Sequence, residues 1–99
     1  MDTYTDNPGT ILPNNFSGIS NVILTGNTEL KEGVRIEGSA FISNSLIGKG
    51  TLVKPFTTIE DSRIGSYVQV GPFSNLRPGN TIDNNAKIGN FVEIKKSKI

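Results

Sequence analysis

The sequence predicts an all-β chain wound as a three-sided parallel β-helix, and three observations carry that reading. First, from Leu24 onward an aliphatic residue returns every five or six positions: Leu24, Leu30, Ile36, Ile42, Ile47, Val53, Ile59, Ile64, Val70, Leu76, Ile82, Ile88, Ile94 and Ile99. A period of two marks ordinary strands and 3.6 marks helices, whereas six held over this length marks a solenoid of hexapeptide units. Second, the residue four places after the aliphatic one is usually small or β-branched, as at Thr28, Val34, Ala40, Thr51, Thr57, Val68, Ser74, Ala86 and Val92. Such residues suit a second inward position in a narrow prism. Third, with about 18 residues per turn, the five-residue units beginning at Ile42, Ile59 and Ile94 all fall on the same side of the triangle.

The faces follow in order. One carries Leu30, Ile47, Ile64, Ile82 and Ile99, a second Ile36, Val53, Val70 and Ile88, and a third Leu24, Ile42, Ile59, Leu76 and Ile94. Stacked at roughly the 4.8 Å spacing of a sheet, they make about five coils. An antiparallel sandwich would instead show turn signals every eight to twelve residues, with alternating polarity between them. Upstream, Leu12 with Phe16 and Gly18 with Val22 keep the phase, Gly18 standing where an aliphatic residue belongs, so the first coil is expected to be imperfect. Residues 1–11, with the turn signal Asn7-Pro8-Gly9, read as a flexible start or cap, and residues 12–99 as the repeat domain. Ile99 is the first residue of a new coil with no cap after it, so the domain reads as truncated at its C-terminal end or covered by another chain.

Composition narrows the chemistry. Ten Lys and Arg against nine Asp and Glu leave a formal charge of +1, which gives no overall pull toward nucleic acid or an anionic membrane. Cysteine and histidine are both absent, removing disulfides, thiol nucleophiles, Cys and His metal ligands and an imidazole base. Glu60, Asp61 and Asp83 do not combine at one corner with ligand spacing, so no metal is expected. Met1 to Ser20 lacks a basic start and a long apolar run, so neither a signal peptide nor a membrane span is read there and a cytoplasmic setting is expected.

Local charge is more informative. Arg77 directly follows Leu76 and Lys95 directly follows Ile94, 18 residues apart and therefore one coil apart at one corner. Two cations about 5 Å apart repel by somewhat under ~1 kcal/mol in water, and a phosphate between them relieves that repulsion. Arg77 offers a planar fork and Lys95 a point charge, with Lys96 and Lys98 alongside. The competing reading is a solvated corner with Glu93 neutralising its neighbours. Phe56, Phe73 and Phe91 each fall three places after a second-face aliphatic residue, in successive coils, and form an expected outward ladder. Three exposed phenylalanines suit a subunit interface better than a monomer surface.

The stretch Val70-Gly71-Pro72-Phe73-Ser74-Asn75-Leu76-Arg77-Pro78-Gly79, followed by Ile88-Gly89-Asn90-Phe91-Val92-Glu93-Ile94-Lys95-Lys96-Ser97, carries a further resemblance. Its wording closely resembles the N-terminal part of the acetyltransferase domain of the bacterial bifunctional N-acetylglucosamine-1-phosphate uridyltransferase / glucosamine-1-phosphate acetyltransferase. The likeness runs from about Val22 to Ile99 and includes the short unit Ile59-Glu60-Asp61-Ser62-Arg63. It implies a left-handed parallel β-helix, a homotrimer and a place in the amino-sugar nucleotide synthesis that feeds the cell envelope. It also implies that Arg77 and Lys95 hold the phosphate of glucosamine 1-phosphate. The family's catalytic histidine lies roughly a dozen residues beyond its Lys-Lys motif and its acetyl-CoA-binding coils later still. Within these 99 residues the resemblance therefore implies no catalytic residue and no coenzyme-binding residue, and a chain that does not complete acetyl transfer alone. The alternative is a non-catalytic trimeric scaffold or weak sugar-phosphate binder.

Overall fold

The computed structural model describes residues 3–5, 10–13, 21–89, 92–94 and 99, with the backbone alone for 3–5 and 92–94. Its strands are Thr3–Thr5 (β1), Val22–Thr25 (β2), Glu29–Leu30 (β3), Arg35–Ile36 (β4), Ala40–Ser43 (β5), Leu46–Ile47 (β6) and Leu52–Val53 (β7). Thr57–Glu60 (β8), Arg63–Ile64 (β9), Gln69–Val70 (β10), Ser74–Leu76 (β11), Thr81–Ile82 (β12), Lys87–Ile88 (β13) and Val92–Ile94 (β14) complete them. No α-helix occurs among the described residues.

From β2 onward each strand pairs in parallel with the strand three places later, and β1 pairs with β2, giving three sheets, β1-β2-β5-β8-β11-β14, β4-β7-β10-β13 and β3-β6-β9-β12. The register reproduces the three faces read from the repeat. Leu24 opposes Ile42, Ile42 opposes Ile59, and Leu76 opposes both Ile59 and Ile94. Ile36, Val53, Val70 and Ile88 align on the second sheet, and Leu30, Ile47, Ile64 and Ile82 on the third. The result is a β-solenoid consistent with the expected left-handed β-helix. Each four-stranded sheet marks four turns among the described residues, against the five or so expected from the spacing. At one end Ile11 bridges Glu29 and β1 pairs with β2, Thr3 opposite Val22 and Thr5 opposite Leu24. At the other, the Ile99 N–H donates to the Thr81 carbonyl at 2.8 Å. Asn7-Pro8-Gly9, Phe16 and Gly18 lie outside the described residues.

The core is the inside of the prism. Leu24, Ile42, Ile47, Val53, Ile59, Val70 and Leu76 are fully enclosed, and each such side chain contributes about 1.5–3 kcal/mol on leaving water. The second inward ring also forms as expected, with Thr28, Val34, Ala40, Thr51, Thr57, Val68 and Ser74 all buried, while Ala86 is half-buried against the core. Val92 lies where only the backbone is described.

Hydroxyls in this ring need acceptors, because an unpaired buried polar group costs about 1–3 kcal/mol. Thr51 Oγ1 donates to the Gly65 carbonyl at 2.8 Å and Ser74 Oγ to the Gly89 carbonyl at 2.6 Å. Thr57 Oγ1 is buried with no such partner among the described residues.

The corners turn through left-handed backbone. Gly26, Asn44, Asp61 and Gly79 form one column of positive φ, Gly33, Gly50, Tyr67 and Asn85 a second, and Asn21, Ser39, Phe56 and Phe73 a third. Asparagine and glycine tolerate this region, but for Phe56 at 61° and Phe73 at 58° it costs roughly 1–2 kcal/mol each. Those two phenylalanines therefore hold corner positions that the backbone alone would give to other residues.

Candidate functional site

The corner between the third and first faces carries a polar column that counting forward from the aliphatic residues reads only in part. Ser45, Ser62 and Asn80 are buried alongside Thr28. The five-residue units bring the inward side chain to the third place after the aliphatic residue instead of the fourth, so Ser45 and Ser62 fall out of the forward count. Counting backward finds them at once, since each of Thr10, Thr28, Ser45, Ser62 and Asn80 stands two residues before a first-face aliphatic residue. The column is tied coil to coil. Thr28 Oγ1 donates to the Thr25 carbonyl and accepts the Ser45 N–H, and Ser45 Oγ donates to the Ser43 carbonyl and accepts the Ser62 N–H.

Arg77 opens this corner in the fourth complete turn. It follows β11, and Pro78 presets the φ that a turn needs at its second position. Gly79 then takes a φ of 93°, open to glycine because it has no Cβ, and its N–H donates to the Asp61 carbonyl at 2.9 Å. The Arg77 side chain is exposed. Its carbonyl accepts Asn80 Nδ2 at 2.6 Å and Ser62 Oγ at 3.3 Å, while the same Ser62 hydroxyl also reaches the Glu60 carbonyl at 2.7 Å. Since Leu76 opposes Ile59, the outward column through Arg77 has Glu60 as its member one coil earlier.

Lys95, the second residue expected at the site, lies outside the described residues. The strand pairing on which the two-cation expectation depends is present, because the residues directly preceding Arg77 and Lys95, Leu76 and Ile94, are register partners.

Phe56 and Phe73 do form a ladder. Their rings stack at 5.0 Å between centroids and 10° between planes, with relative exposures of 57% and 46%. Phe91 lies outside the described residues. Tyr67 is equally exposed on another corner, its ring lying over Gly50, where an added Cβ would come within 2.5 Å of it.

Three shallow recesses of about 470, 460 and 380 Å³ run along the first face. Leu46 lines all three and Arg63 two of them; Arg77 lines none of the three. Among the described residues no group of three or more Asp and Glu is placed to hold a metal, and no helix is long and apolar enough to cross a membrane.

Residues 61–96 match the family model described as bacterial transferase hexapeptide (six repeats). The chain is 42% identical over 80 residues to the bifunctional protein GlmU of Baumannia cicadellinicola subsp. Homalodisca coagulata, covering 81% of this chain and 17% of that protein. It is 40% identical over 79 residues to the bifunctional protein GlmU of Anaeromyxobacter sp. (strain Fw109-5), covering 80% of this chain and 16% of that protein. The resemblance carried by the Leu-Arg-Pro-Gly and Glu-Ile-Lys-Lys stretches thus extends over most of the chain, which spans less than a fifth of the length of either relative.

Proposed function

We propose that these coils hold the phosphate of glucosamine 1-phosphate, with Arg77 and Lys95 as its cationic partners, within the acetyltransferase β-helix of UDP-N-acetylglucosamine synthesis. The observation that supports it most directly is the pairing of Leu76 with Ile94, the residues that immediately precede Arg77 and Lys95 in the chain. The substrate class is what the resemblance of the Leu-Arg-Pro-Gly and Glu-Ile-Lys-Lys stretches implies, and the likeness to GlmU over 80 and 79 residues supports that resemblance. A phosphate at this corner accepts two charge-assisted interactions of different shape, a guanidinium fork and an ammonium.

Acetyl transfer itself needs a base to deprotonate the substrate ammonium, and these 99 residues contain no histidine. In this reading they bind and orient the acceptor, hold no acetyl-CoA, and do not turn over alone. The setting is the cytoplasm, where acetyl-CoA is made and used. The assembly is a homotrimer formed through the corner of Phe56, Phe73 and Phe91, a placement supported by the half-exposed stack of the first two.

A second reading, a trimeric scaffold without chemistry, is favoured by the half-exposed stack of Phe56 on Phe73, which would serve a subunit contact whether or not a ligand binds. Titration with inorganic phosphate and glucosamine 1-phosphate, followed by NMR, separates the two. The site reading expects weak binding, on the order of millimolar or about 4 kcal/mol, lost in Arg77→Ala and Lys95→Ala. It also expects binding to weaken with salt, because the corner is open to screening ions. Shifts identical in the parent and both variants refute it in favour of the scaffold.

A further inference from the structure

We propose that Asn80 is a positioning residue for the anion site at Arg77, an inference that rests on the phosphate reading above. The Arg77 side chain is exposed, so how well it holds an anion depends on how firmly its backbone is fixed. That backbone is held from inside the prism. Asn80 and Ser62 are 2% and 3% exposed; Asn80 Nδ2 donates to the Arg77 carbonyl at 2.6 Å, and the Ser62 hydroxyl, whose one proton is directed mainly at the Glu60 carbonyl at 2.7 Å, adds a longer 3.3 Å contact from the preceding coil. Pro78 and Gly79, between Arg77 and Asn80, complete a turn with few alternative conformations.

The residue type is what distinguishes this corner. Thr10, Thr28, Ser45 and Ser62 present hydroxyls in the same column, and Asn80 replaces the hydroxyl with an amide in the turn that carries Arg77. The two six-residue corners are comparable: Thr28 bonds the carbonyl three residues back at 2.8 Å, and Asn80 does the same at 2.6 Å. A threonine at position 80 therefore keeps a donor for Arg77, while valine keeps the threonine's shape and removes the donor. Fixing the carbonyl fixes the direction of the Arg77 Cα–Cβ bond, and with it the volume the guanidinium sweeps.

The experiment compares the parent chain with Arg77→Ala, Asn80→Val, Asn80→Thr and Asn80→Ala, using inorganic phosphate as the probe. Affinity is read by NMR titration and Arg77 mobility by the order parameter of its Nε–H group. The expected result is an affinity about three- to tenfold weaker in Asn80→Val, with a lower Arg77 order parameter. Asn80→Thr is expected to restore both. A residue that served only global stability would not change Arg77 order in a fully folded variant. Equal affinity and equal Arg77 order in the parent, Asn80→Val and Asn80→Thr overturn the inference while leaving the phosphate reading intact. If Asn80→Val does not fold, Asn80→Ala, which removes the same donor in a smaller side chain, decides in its place, with the same loss expected and an unchanged affinity and Arg77 order overturning the inference. If Arg77→Ala binds phosphate as the parent does, the phosphate reading fails and the inference is overturned with it, an outcome recognised before any Asn80 variant is measured.

Discussion

Replacing Phe73 with alanine separates a subunit interface from local packing. The backbone at Phe73 has a φ of 58°, and alanine meets the same steric cost there, so backbone strain largely cancels between parent and variant. What changes is the side chain. Within one protomer the loss is the stack on Phe56, whose near-parallel rings 5.0 Å apart are worth about 0.5–1.5 kcal/mol beyond area, plus the part of the ring that is already covered. If the column is also an interface, the 46% of Phe73 that is exposed in a single chain becomes buried in the assembly. Truncating such a central aromatic anchor costs about 2 kcal/mol or more per protomer, three times over in a trimer. Light scattering across a concentration series, with urea unfolding at each concentration, reads both quantities. The interface predicts that Phe73→Ala lowers the mass and abolishes the concentration dependence of the midpoint. Tyr67→Ala serves as the control, since that ring is as exposed but sits on another corner and should leave the mass unchanged. An unchanged mass in Phe73→Ala, with an unfolding midpoint that stays as dependent on concentration as in the parent or independent of it in both, would refute the interface and leave the stack as local packing.

Other positions test the prism. Ile59 is fully buried between Ile42 and Leu76, so Ile59→Ala should cost about 2–5 kcal/mol in urea unfolding; a loss under 1 kcal/mol would mean the central coil packs loosely. Gly48→Ala should cost about 1–3 kcal/mol because the new Cβ would lie 2.4 Å from the Gly65 backbone of the next coil, and an unchanged midpoint would contradict that coil spacing. Thr57→Val keeps the shape of a buried side chain whose hydroxyl has no partner among the described residues, so thermal unfolding should show it to be neutral or stabilised by roughly 1 kcal/mol. A clear destabilisation would reveal a hydrogen bond to that hydroxyl.

The spacing of aliphatic residues by itself determined which side chains share a face and which oppose one another. In a parallel coil the register is the repeat phase, so Leu24, Ile42, Ile59 and Leu76 could be aligned by counting, and the structure aligns them the same way. The Leu-Arg-Pro-Gly wording likewise pointed to Arg77, because a cation beside a Pro-Gly turn is written in consecutive residues. Tertiary structure decided what depends on groups far apart in the chain. Ser45 and Ser62 are tied from coil to coil, the Ser45 N–H donating to Thr28 Oγ1 and the Ser62 N–H to Ser45 Oγ across 17 residues each, and a forward count through five-residue units steps past both. The stacking of Phe56 on Phe73 needed both corners to adopt the left-handed backbone that phenylalanine rarely takes, a choice imposed by coil closure and not by local preference. The hold on Arg77 is of the same kind: its carbonyl meets Ser62 only because winding brings a residue 15 positions earlier beneath it, and no local pattern states that distance.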